Sequence, residues 1–369
     1  MRQPRKPSFM YVVHRLLHSV FLTANVGVVL LLLLTGYAYK LNPATSPILS
    51  LLCYAFPLVA LVNVVFLIYW LMRFKLWLLI SLAGLLLTIG SCRTWFPLNA
   101  TTKLEEHNTV KIMSFNVMYF DFVKDSEKSG LHPVIEYIAN SGADIVCLQE
   151  VGTDFLHTRL KEKKTRKALK AYRYVLSGSS EGRYSVVCLS KYPVISCRRI
   201  NYESLSNSSY RYDFKIDDKT VTVINNHLES NKLNRKEKDH YTNLIKSAGE
   251  TEELKTVAKL LGLKVGSATS IRAAQARAVS DEVRACGNPV IVCGDFNDIP
   301  GSYVYHTIAE GLTDSWVEKG MGWGNTFHEN LFLFRIDYIL HSPSLKTVEV
   351  KVDKVKISDH YPLIATLQL

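Results

Sequence analysis

Acidic residues are missing from the first 100 positions of this 369-residue chain, which contain eight Lys or Arg and no Asp or Glu. Most of the formal net charge of +11 therefore belongs to this segment, because residues 101–369 hold 36 basic and 33 acidic side chains. Nucleic-acid-binding domains are marked by positive charge concentrated on their own surface. The basicity of the whole chain is thus weak evidence for nucleic-acid binding.

Metal-binding cysteine patterns are missing as well. The seven cysteines form no Cys-x-x-Cys motif and no Cys/His spacing of the zinc-binding type. Cys147, Cys188 and Cys293 lie within apolar runs, where a free thiol behaves as a small hydrophobic side chain. We therefore predict structural thiols; the sequence alone does not define a disulfide pairing.

Long hydrophobic runs fill the acid-free segment. Crossing the hydrocarbon core of a bilayer, roughly 30 Å thick, takes about 20 apolar residues. Residues 17–37, 47–71 and 76–96 meet or approach this length, so we predict that residues 1–97 form a membrane anchor of three transmembrane helices. A cleaved signal peptide is the alternative for the first run. A re-entrant or interfacial segment is the alternative for the third run, because its apolar part, 76–91, is the shortest and extends to 96 only through Arg93.

The distribution of Lys and Arg predicts how the anchor is oriented. Four basic residues flank the first run on its N-terminal side and two lie in the turn at 72–75, whereas the 38–46 loop contains only Lys40. The positive-inside rule then places the N-terminus in the cytoplasm. Three spans would put everything after residue 97 outside the cytoplasm, and two spans would keep it inside. The polar stretch 98–108 is predicted to be a linker.

The remaining residues, 109–369, are numerous enough for one large core. Short runs rich in Val, Ile and Tyr predict strands, and charged or periodic stretches between them predict helices. The predicted strands are 110–117, 144–151, 172–176, 184–190, 210–216, 220–227, 289–295, 335–341, 347–352 and 363–369, and the predicted helices are 132–140, 153–171, 239–261 and 270–285. This pattern indicates a layered α/β domain. We expect Arg272 and Arg277 to face solvent, with a contact to substrate anions as the alternative.

Polar side chains follow the apolar runs where several predicted strands end. The motifs are Ser-Phe-Asn-Val at 114–117, Leu-Gln-Glu-Val at 148–151, Asn-Asn-His-Leu at 225–228, Gly-Asp-Phe-Asn at 294–297, Arg-Ile-Asp-Tyr at 335–338 and Ser-Asp-His-Tyr-Pro at 358–362. Functional sites of α/β folds are built at strand ends, so we expect these motifs to converge. Asp295 and Asn297 stand two residues apart and are predicted to share one face of an extended chain.

The residue types in these motifs suit chemistry on a phosphate ester. Oxygen ligands without a cysteine cluster favour Mg²⁺ or Mn²⁺ over zinc. Such an ion polarises a phosphoryl oxygen and offsets charge on the leaving group. An ionised Asp can orient and deprotonate a water molecule, and a His held by an Asp can donate to a phosphoryl oxygen.

The six motifs, in this order, resemble those of the endonuclease/exonuclease/phosphatase superfamily, whose fold is that of deoxyribonuclease I. The resemblance covers residues 109–369 and implies an α/β domain, a four-layer sandwich of two packed β-sheets flanked by helices, here in a membrane-anchored bacterial-type member. It implies Glu150 and Asn116 as metal ligands, with Asp359 near the metal. It implies that Asp295 activates the water molecule and that Asn297 holds this water or the phosphate. It also implies that His227 and His360 contact phosphoryl oxygens and that Asp337 orients His360.

Details of the motifs bear on the branch of the superfamily and on the substrate. Base-excision endonucleases of the superfamily carry a Tyr-x-Pro-Asn type of sequence where this chain has Asn226-His227-Leu228. The histidine form is similar to the phosphatase, sphingomyelinase and deoxyribonuclease I branches. Arg335 and Trp323, the latter in a glycine-rich stretch, are further candidates for substrate contact.

The favoured interpretation is a membrane-anchored, Mg²⁺- or Mn²⁺-dependent phosphoesterase in a bacterial inner membrane or plasma membrane, with its catalytic domain outside the cytoplasm. The membrane anchor favours a lipid headgroup as the substrate. An endonuclease or exonuclease acting on DNA or RNA is the main alternative, and a non-catalytic binding module of the same fold is the second. No protein partner can be inferred.

Overall fold

The computed structural model describes residues 8–100, 108–126, 130–152, 155, 157–178, 185–204, 207–231, 251–329 and 333–369. Its N-terminal part is helical, and its C-terminal part is built on β-strands. The anchor helices are α1 Phe9–Gly36, α2 Pro47–Ser50, α3 Phe56–Met72, α4 Leu78–Leu87 and α5 Ile89–Trp95, with 3-10 turns at Ala38–Lys40 and Leu51–Ala55.

Two helical stretches of the described anchor, Phe9–Lys40 and Pro47–Met72, are long and apolar enough to cross a membrane. The third predicted span, 76–96, is not one helix, because α4 and α5 meet at an angle of 68°. At the bend, the hydroxyl of Thr88 donates to the carbonyl of Gly84 at 2.8 Å, a contact that often bends helices. The prediction of three transmembrane helices is therefore corrected to two candidate helices, plus a bent pair that counts as a third only if it forms one broken span.

A buried polar network joins the anchor helices. Asn25 on α1 donates from Nδ2 to Oγ of Ser81 on α4 at 2.8 Å and accepts at Oδ1 from Nε1 of Trp70 on α3 at 2.9 Å. Asn63 donates to the carbonyl of Ser81 at 3.0 Å. Hydrogen bonds of this kind hold helices together where the surroundings are apolar, so α1, α3 and α4 form one bundle.

The C-terminal domain contains, in its described part, two six-stranded sheets and five helices. The strands are β1 Thr109–Asn116, β2 Ile145–Val151, β3 Tyr174–Gly178, β4 Ser185–Ser190, β5 Val194–Ile200, β6 Ser208–Ile216, β7 Lys219–His227, β8 Val290–Asp295, β9 Thr313–Asp314, β10 Asp337–His341, β11 Lys346–Val352 and β12 Leu363–Gln368. The helices are α6 Pro133–Asn140, α7 Lys163–Ala168, α8 Thr251–Arg284, α9 Tyr303–Ile308 and α10 Ser315–Lys319.

The two sheets pack face to face. Their strand orders are β11-β12-β1-β2-β4-β3 and β5-β6-β7-β8-β10-β9. One buried cluster, which includes Ile112 and Cys147 of the first sheet and Val223 and Cys293 of the second, fills the space between them. Two further clusters lie on the outer faces, one under α6 and one under α8 and α9. The predicted four-layer α/β sandwich is thus confirmed, and the buried cysteines are free thiols.

Differences from the predicted elements have local causes. The strand β5 was not predicted, because its sequence Val-Ile-Ser-Cys-Arg-Arg-Ile carries charges on an exposed sheet edge. The predicted helices 239–261 and 270–285 are joined across Gly262 and Gly266 into α8, and residues 239–250 lie outside the described residues. A Cβ on Gly266 would meet Pro47 at 3.5 Å, so a small residue suits this contact between α8 and α2.

Candidate active site

The strand register brings the polar ends of several strands to one edge of the two sheets. In the first sheet, β1 and β2 run parallel with Asn116 opposite Gln149. In the second, β7 and β8 run parallel with His227 opposite Asp295, and β10 runs antiparallel to β8 with Asp337 opposite Asp295. Because parallel strands end at the same edge of a sheet, the side chains that follow them gather there.

Asp295 is shared by two groups of side chains with ligating atoms. In the first group, Nε2 of His227 lies 3.4 Å from Oε1 of Glu150 and 4.0 Å from Oδ2 of Asp295. In the second, Nδ1 of His360 lies 2.8 Å from Oδ2 of Asp337, and its Nε2 lies 3.8 Å from Oδ2 of Asp295. The candidate ligand atoms of each group lie within 4.8 Å of one another.

Asn116 bridges the carboxylates of Glu150 and Asp295. Its Nδ2 donates to Oε1 of Glu150 at 3.1 Å and to Oδ2 of Asp295 at 3.0 Å. Its Oδ1 accepts from the main-chain N–H of Met118 at 3.1 Å, and this contact fixes which end of the amide faces the site. The nitrogen therefore faces the carboxylates, an arrangement that favours a positioning role for Asn116 over the predicted role as a metal ligand.

The turn after β8 differs from the predicted extended chain. Asn297 has a φ of 53°, a left-handed conformation that few L-residues adopt. Its main-chain N–H donates to Oδ1 of Asp295 at 2.8 Å, and its Nδ2 lies 3.3 Å from Oδ2 of the same residue and 3.0 Å from the carbonyl of Leu228. Asp295 and Asn297 thus meet as predicted, but through an Asx turn.

Strained backbone supports the site at two more positions. Glu150 has a φ of 52°, and Gly294 has a φ of 127°. A Cβ at Gly294 would lie 2.0 Å from the carbonyl oxygen of Asn226, so only glycine allows β7 and β8 to approach this closely. Residues held in such conformations concentrate at functional sites.

Two buried amides connect the sheets beneath the site, and sequence reasoning assigned them no role. Nε2 of Gln149 donates to Oδ1 of Asn225 at 2.7 Å. Nδ2 of Asn225 donates to the carbonyls of Leu148 at 3.1 Å and Val187 at 3.3 Å. Both side chains are fully buried. Both belong to the motifs at 148–151 and 225–228, and this membership was their sequence signal.

Burial and neighbouring charges shift the pKa values of Asp295, Glu150 and His360 away from their usual values. Burial, and then the negative charge of Asp337, raise the pKa of Asp295 to about 6. Burial acts in the same direction on Glu150, but the hydrogen bond and charge of His227 outweigh it and lower the Glu150 pKa to about 2. Burial would lower the pKa of His360, yet the charges of Asp337 and Asp295 raise it to about 10. Groups whose environments drive their pKa values apart are suited to separate acid and base roles.

The donor set fits a hard divalent cation. The two groups offer three carboxylates and two imidazoles and contain no Cys, which matches Mg²⁺ or Mn²⁺ better than a thiol-binding metal. Glu150 is ionised at neutral pH, and its side chain is the most exposed of the first group at 21%. Glu150 is therefore the carboxylate through which an ion from solvent would meet the site.

Three predicted site residues, Asp359, Trp323 and Arg335, lie apart from these two groups. Asp359 belongs to neither group, and its Oδ1 accepts from Oγ of Ser358 at 3.2 Å. Trp323 packs against Trp95 of α5, with ring centroids 5.4 Å apart, and donates to the carbonyl of Leu333 at 2.7 Å. These contacts direct Trp323 toward the anchor, so its predicted stacking on substrate has no support in the structure.

The contacts of Arg335 do not support its predicted contact with substrate. Arg335 is buried, and its Nη1 lies 2.6 Å from Oδ2 of Asp314. Its Nη2 donates to the carbonyl of Thr94 in α5 at 2.7 Å. Because Arg335 precedes β10, it is not part of the strand alternation that directs Asp337 into the site, and it joins the domain to the anchor.

The turn after β8 is also joined to the anchor. Asp298 is fully buried; its Oδ1 accepts from Oη of Tyr54 at 3.1 Å, and its Oδ2 lies 3.2 Å from Nε of Arg272. The next residue, Ile299, packs in a hydrophobic cluster with Phe56 of α3. Arg272 is itself fully buried, so the expectation that it faces solvent is wrong. Neither Asp298 nor Tyr54 had been assigned a role.

The comparison with protein families gives two matches. The model described as the Endonuclease/Exonuclease/phosphatase family matches residues 113–360, which include every motif residue of the site. A domain of unknown function, DUF8431, matches residues 18–95, the anchor. A comparison with curated proteins found no match.

Solved structures share the fold of the C-terminal domain. Humanized TDP2 from D. rerio is 17% identical with a TM-score of 0.50, over 71% of this chain and 100% of that chain. The catalytic domain of human Nocturnin is 14% identical with a TM-score of 0.49, over 72% and 96% of the two chains. ANGEL2, a 2′,3′-cyclic phosphatase, is 15% identical with a TM-score of 0.48, over 73% and 99%. At such identities the similarity concerns the fold alone.

Proposed function

The chain belongs to the endonuclease/exonuclease/phosphatase family and is a hydrolase of phosphate esters, and we propose that it cleaves a phosphodiester or phosphomonoester with an activated water molecule while anchored in a membrane. The observation that carries this proposal is the sharing of one buried carboxylate, Asp295, by two histidine–carboxylate groups. Such a site can hold a cation, a water molecule and a phosphoryl group side by side.

We assign the metal to Glu150, with Asp359 beside it on the strength of its motif. Mg²⁺ or Mn²⁺ held there would polarise a phosphoryl oxygen and offset charge on the leaving group. Glu150 suits this role because it is ionised and partly exposed. Asn116 holds Glu150 and Asp295 in position through its two hydrogen bonds.

Asp295 is assigned as the general base. With a pKa of about 6 it is largely ionised at neutral pH and basic enough to accept the proton of the attacking water. As the water oxygen bonds to phosphorus, the bond from phosphorus to the leaving oxygen breaks. Asn297 lies 3.3 Å from Asp295 through its amide nitrogen and is assigned to orient the water or the phosphoryl group.

The two histidines are assigned as donors to the phosphoryl oxygens. Asp337 holds Nδ1 of His360 at 2.8 Å, which leaves Nε2 to donate. Burial would lower the pKa of His227, but the hydrogen bond and charge of Glu150 raise it. Protonated imidazoles are strong donors to charge that develops in the transition state. Since all these groups are present and assembled, we do not retain the non-catalytic alternative.

The anchor contacts support the predicted placement outside the cytoplasm. Ser91 near the start of α5 donates to the carbonyl of Gly36 at the end of α1 at 2.7 Å. At the opposite end of α1, the ring of His18 lies 5.3 Å from that of Trp70, near the basic 72–75 turn. The chain therefore returns, after α5, to the side of the 38–46 loop. Under the positive-inside rule this side is extracytoplasmic, and the domain follows it.

The substrate we favour is a lipid-borne or small phosphate ester. The near balance of 36 basic and 33 acidic residues after residue 100 does not mark a nucleic-acid surface. One observation favours a nuclease as the second candidate: residues 159–173 contain eight Lys or Arg, and Lys163, Lys164 and Arg166 on α7 are exposed. Basic side chains on one surface are the usual contacts to phosphate backbones.

The test uses the full-length protein in nanodiscs with Mg²⁺, offered bis-p-nitrophenyl phosphate, phospholipid and plasmid DNA. We expect ester hydrolysis by the wild type and a loss of about 100-fold or more in Asp295→Asn. The matched control is Asp281→Asn, an exposed carboxylate on α8, which should retain full activity. Full activity of Asp295→Asn would refute the site, and DNA nicking without phospholipid turnover would favour the nuclease.

Orientation has its own test. Cys197 on β5 is exposed in the catalytic domain. A membrane-impermeant maleimide added to intact cells should label the wild type and not Cys197→Ser. Labelling that appears only after the cells are lysed would place the domain in the cytoplasm.

A further inference from the structure

An apolar stripe runs along the exposed side of α8. Leu260, Leu263 and Ile271 are 50%, 52% and 38% exposed, and Ser267 is exposed between them. Their spacing of three and four residues places them on one helix face. Exposed apolar patches of this kind mark interaction surfaces.

The charge around the stripe is positive. Residues 254–280 contain no Asp or Glu, and Lys259, Lys264 and Arg277 among them are exposed, whereas Arg272 is buried against Asp298. Lys259 and Lys264 are exposed beside the leucines of the stripe. A helix face that combines apolar and basic side chains suits the surface of an anionic bilayer, where the apolar groups enter the headgroup region and the lysines meet phosphate.

The position of α8 places this stripe at the level where the anchor meets the domain. Gly266 packs against Pro47, and Oγ of Ser270 donates to the carbonyl of Pro43 at 2.8 Å. Pro47 begins the candidate span Pro47–Met72, whose next residues Ile48 and Leu49 are exposed. The stripe is therefore continuous with apolar surface of the anchor.

A groove lies beside the stripe. It has a volume of about 350 Å³ and lies between α8, where Leu263, Ala268 and Ile271 line it, and residues 229–231. Those residues directly follow the motif that ends β7 with His227. Nη1 of Arg272 holds this wall through the carbonyl of Glu229 at 2.8 Å. A lipid in the groove would contact the segment that follows His227 along the chain.

We propose that the α8 stripe and its groove bind phospholipid of the bilayer that holds the anchor, with the lysines contacting anionic headgroups. This inference rests on the proposed membrane anchoring and deepens it, because it makes the catalytic domain a membrane-surface enzyme. The occupant is a bilayer lipid, since the stripe continues the apolar surface of the anchor and its charge complements anionic lipid.

The test uses photo-crosslinking by the full chain in nanodiscs of phosphatidylethanolamine and phosphatidylglycerol. p-Benzoylphenylalanine replaces Leu263 on the stripe, Leu61 in the candidate span Pro47–Met72, or Ile195 on β5; all three positions are exposed. We expect phospholipid adducts, detected by mass spectrometry, at Leu263 and Leu61 and none at Ile195. Adducts at Leu61 without adducts at Leu263 would overturn the proposal. Their absence at Leu61 would overturn the membrane anchoring as well.

Charge reversal provides a second readout that does not depend on catalysis. Lys259→Glu should lower the adduct yield at Leu263 about fivefold, because one Lys near an anionic leaflet strengthens binding by about that factor. The yield at Leu61 should not change. An unchanged adduct yield at Leu263 would refute the headgroup contact. So would a variant that lowers the adduct yield equally in nanodiscs with and without phosphatidylglycerol.

Discussion

The buried pair of Arg272 and Asp298 predicts a large loss of stability when only one partner is removed. Both side chains are fully buried, with Nε of Arg272 3.2 Å from Oδ2 of Asp298. In Arg272→Met the carboxylate keeps the hydroxyl of Tyr54 at 3.1 Å and the main-chain N–H of Ile299 at 3.0 Å. It has lost the buried cation that stands closest to it, however. Removal of one member of a buried ion pair costs about 3–5 kcal/mol.

Removal of both charges should restore the part of this loss that comes from the uncompensated carboxylate, while the hydrogen bonds of Arg272 to Glu229, Asn231 and Thr269 stay lost. We therefore expect Arg272→Met/Asp298→Asn to be more stable than Arg272→Met. Arg284→Met is the matched control, because its partner Asp281 and its own side chain are both exposed. Exposed pairs contribute about 0–1 kcal/mol.

The assay is chemical unfolding of each variant in the same detergent, followed by the near-UV signal of the catalytic domain. A loss below about 1 kcal/mol in Arg272→Met would refute the reasoning, since it would mean that the carboxylate is solvated or protonated at no cost. A double variant that is less stable than Arg272→Met would refute the assignment of the cost to the unpaired charge.

Three further predictions concern the candidate site. Gly294→Ala should prevent folding or lower the free energy of unfolding by more than about 4 kcal/mol, because the new Cβ would lie 2.0 Å from the Asn226 carbonyl oxygen. Gly287→Ala is the control and should fold normally, because there is open space around Gly287. In EDTA, the thermal midpoint of the wild type should fall relative to that of His360→Gln as the pH rises from about 7 to 10. The reason is that the folded state holds the His360 proton up to a pKa of about 10, whereas the unfolded state holds it only up to 6.5. Plots of midpoint against pH that run parallel for the two proteins would contradict this prediction. EDTA should abolish turnover, and added Mg²⁺ should restore it. Glu150→Gln should raise the Mg²⁺ concentration for half-maximal activity at least about tenfold. An unchanged Mg²⁺ concentration for half-maximal activity would exclude Glu150 as a ligand.

The sequence predicted the parts of the site that depend on strand ends. Glu150, His227 and Asp295 each follow an apolar run that forms a buried strand, and the parallel pairing of such strands gathers their ends at one edge. Motif order then supplied Asp337 and His360. These predictions needed only local residue patterns and one rule of sheet topology.

The parts that could not be predicted depend on contacts between distant segments. Arg335 and Asp337 are two residues apart, yet only Asp337 enters the site, because Asp314 and the carbonyl of Thr94 hold Arg335 on the other side. The amide orientation of Asn116 is likewise set by one main-chain N–H. Spacing along the chain does not encode these partners, so residue type alone did not reveal that Arg335 contacts Asp314 and Thr94.

Contacts between the anchor and the site segments indicate that the two parts act as one structural unit. The turn after β8 is held by Tyr54 through Asp298, and the start of β10 is held by Thr94 through Arg335. These two segments carry Asp295 and Asp337, which lie opposite each other in the sheet. A Cβ on Gly301 would lie 2.6 Å from Nε1 of Trp95, so the packing between the parts is close. The predicted anchor therefore contacts both segments that carry these two carboxylates, and these contacts help to position the segments.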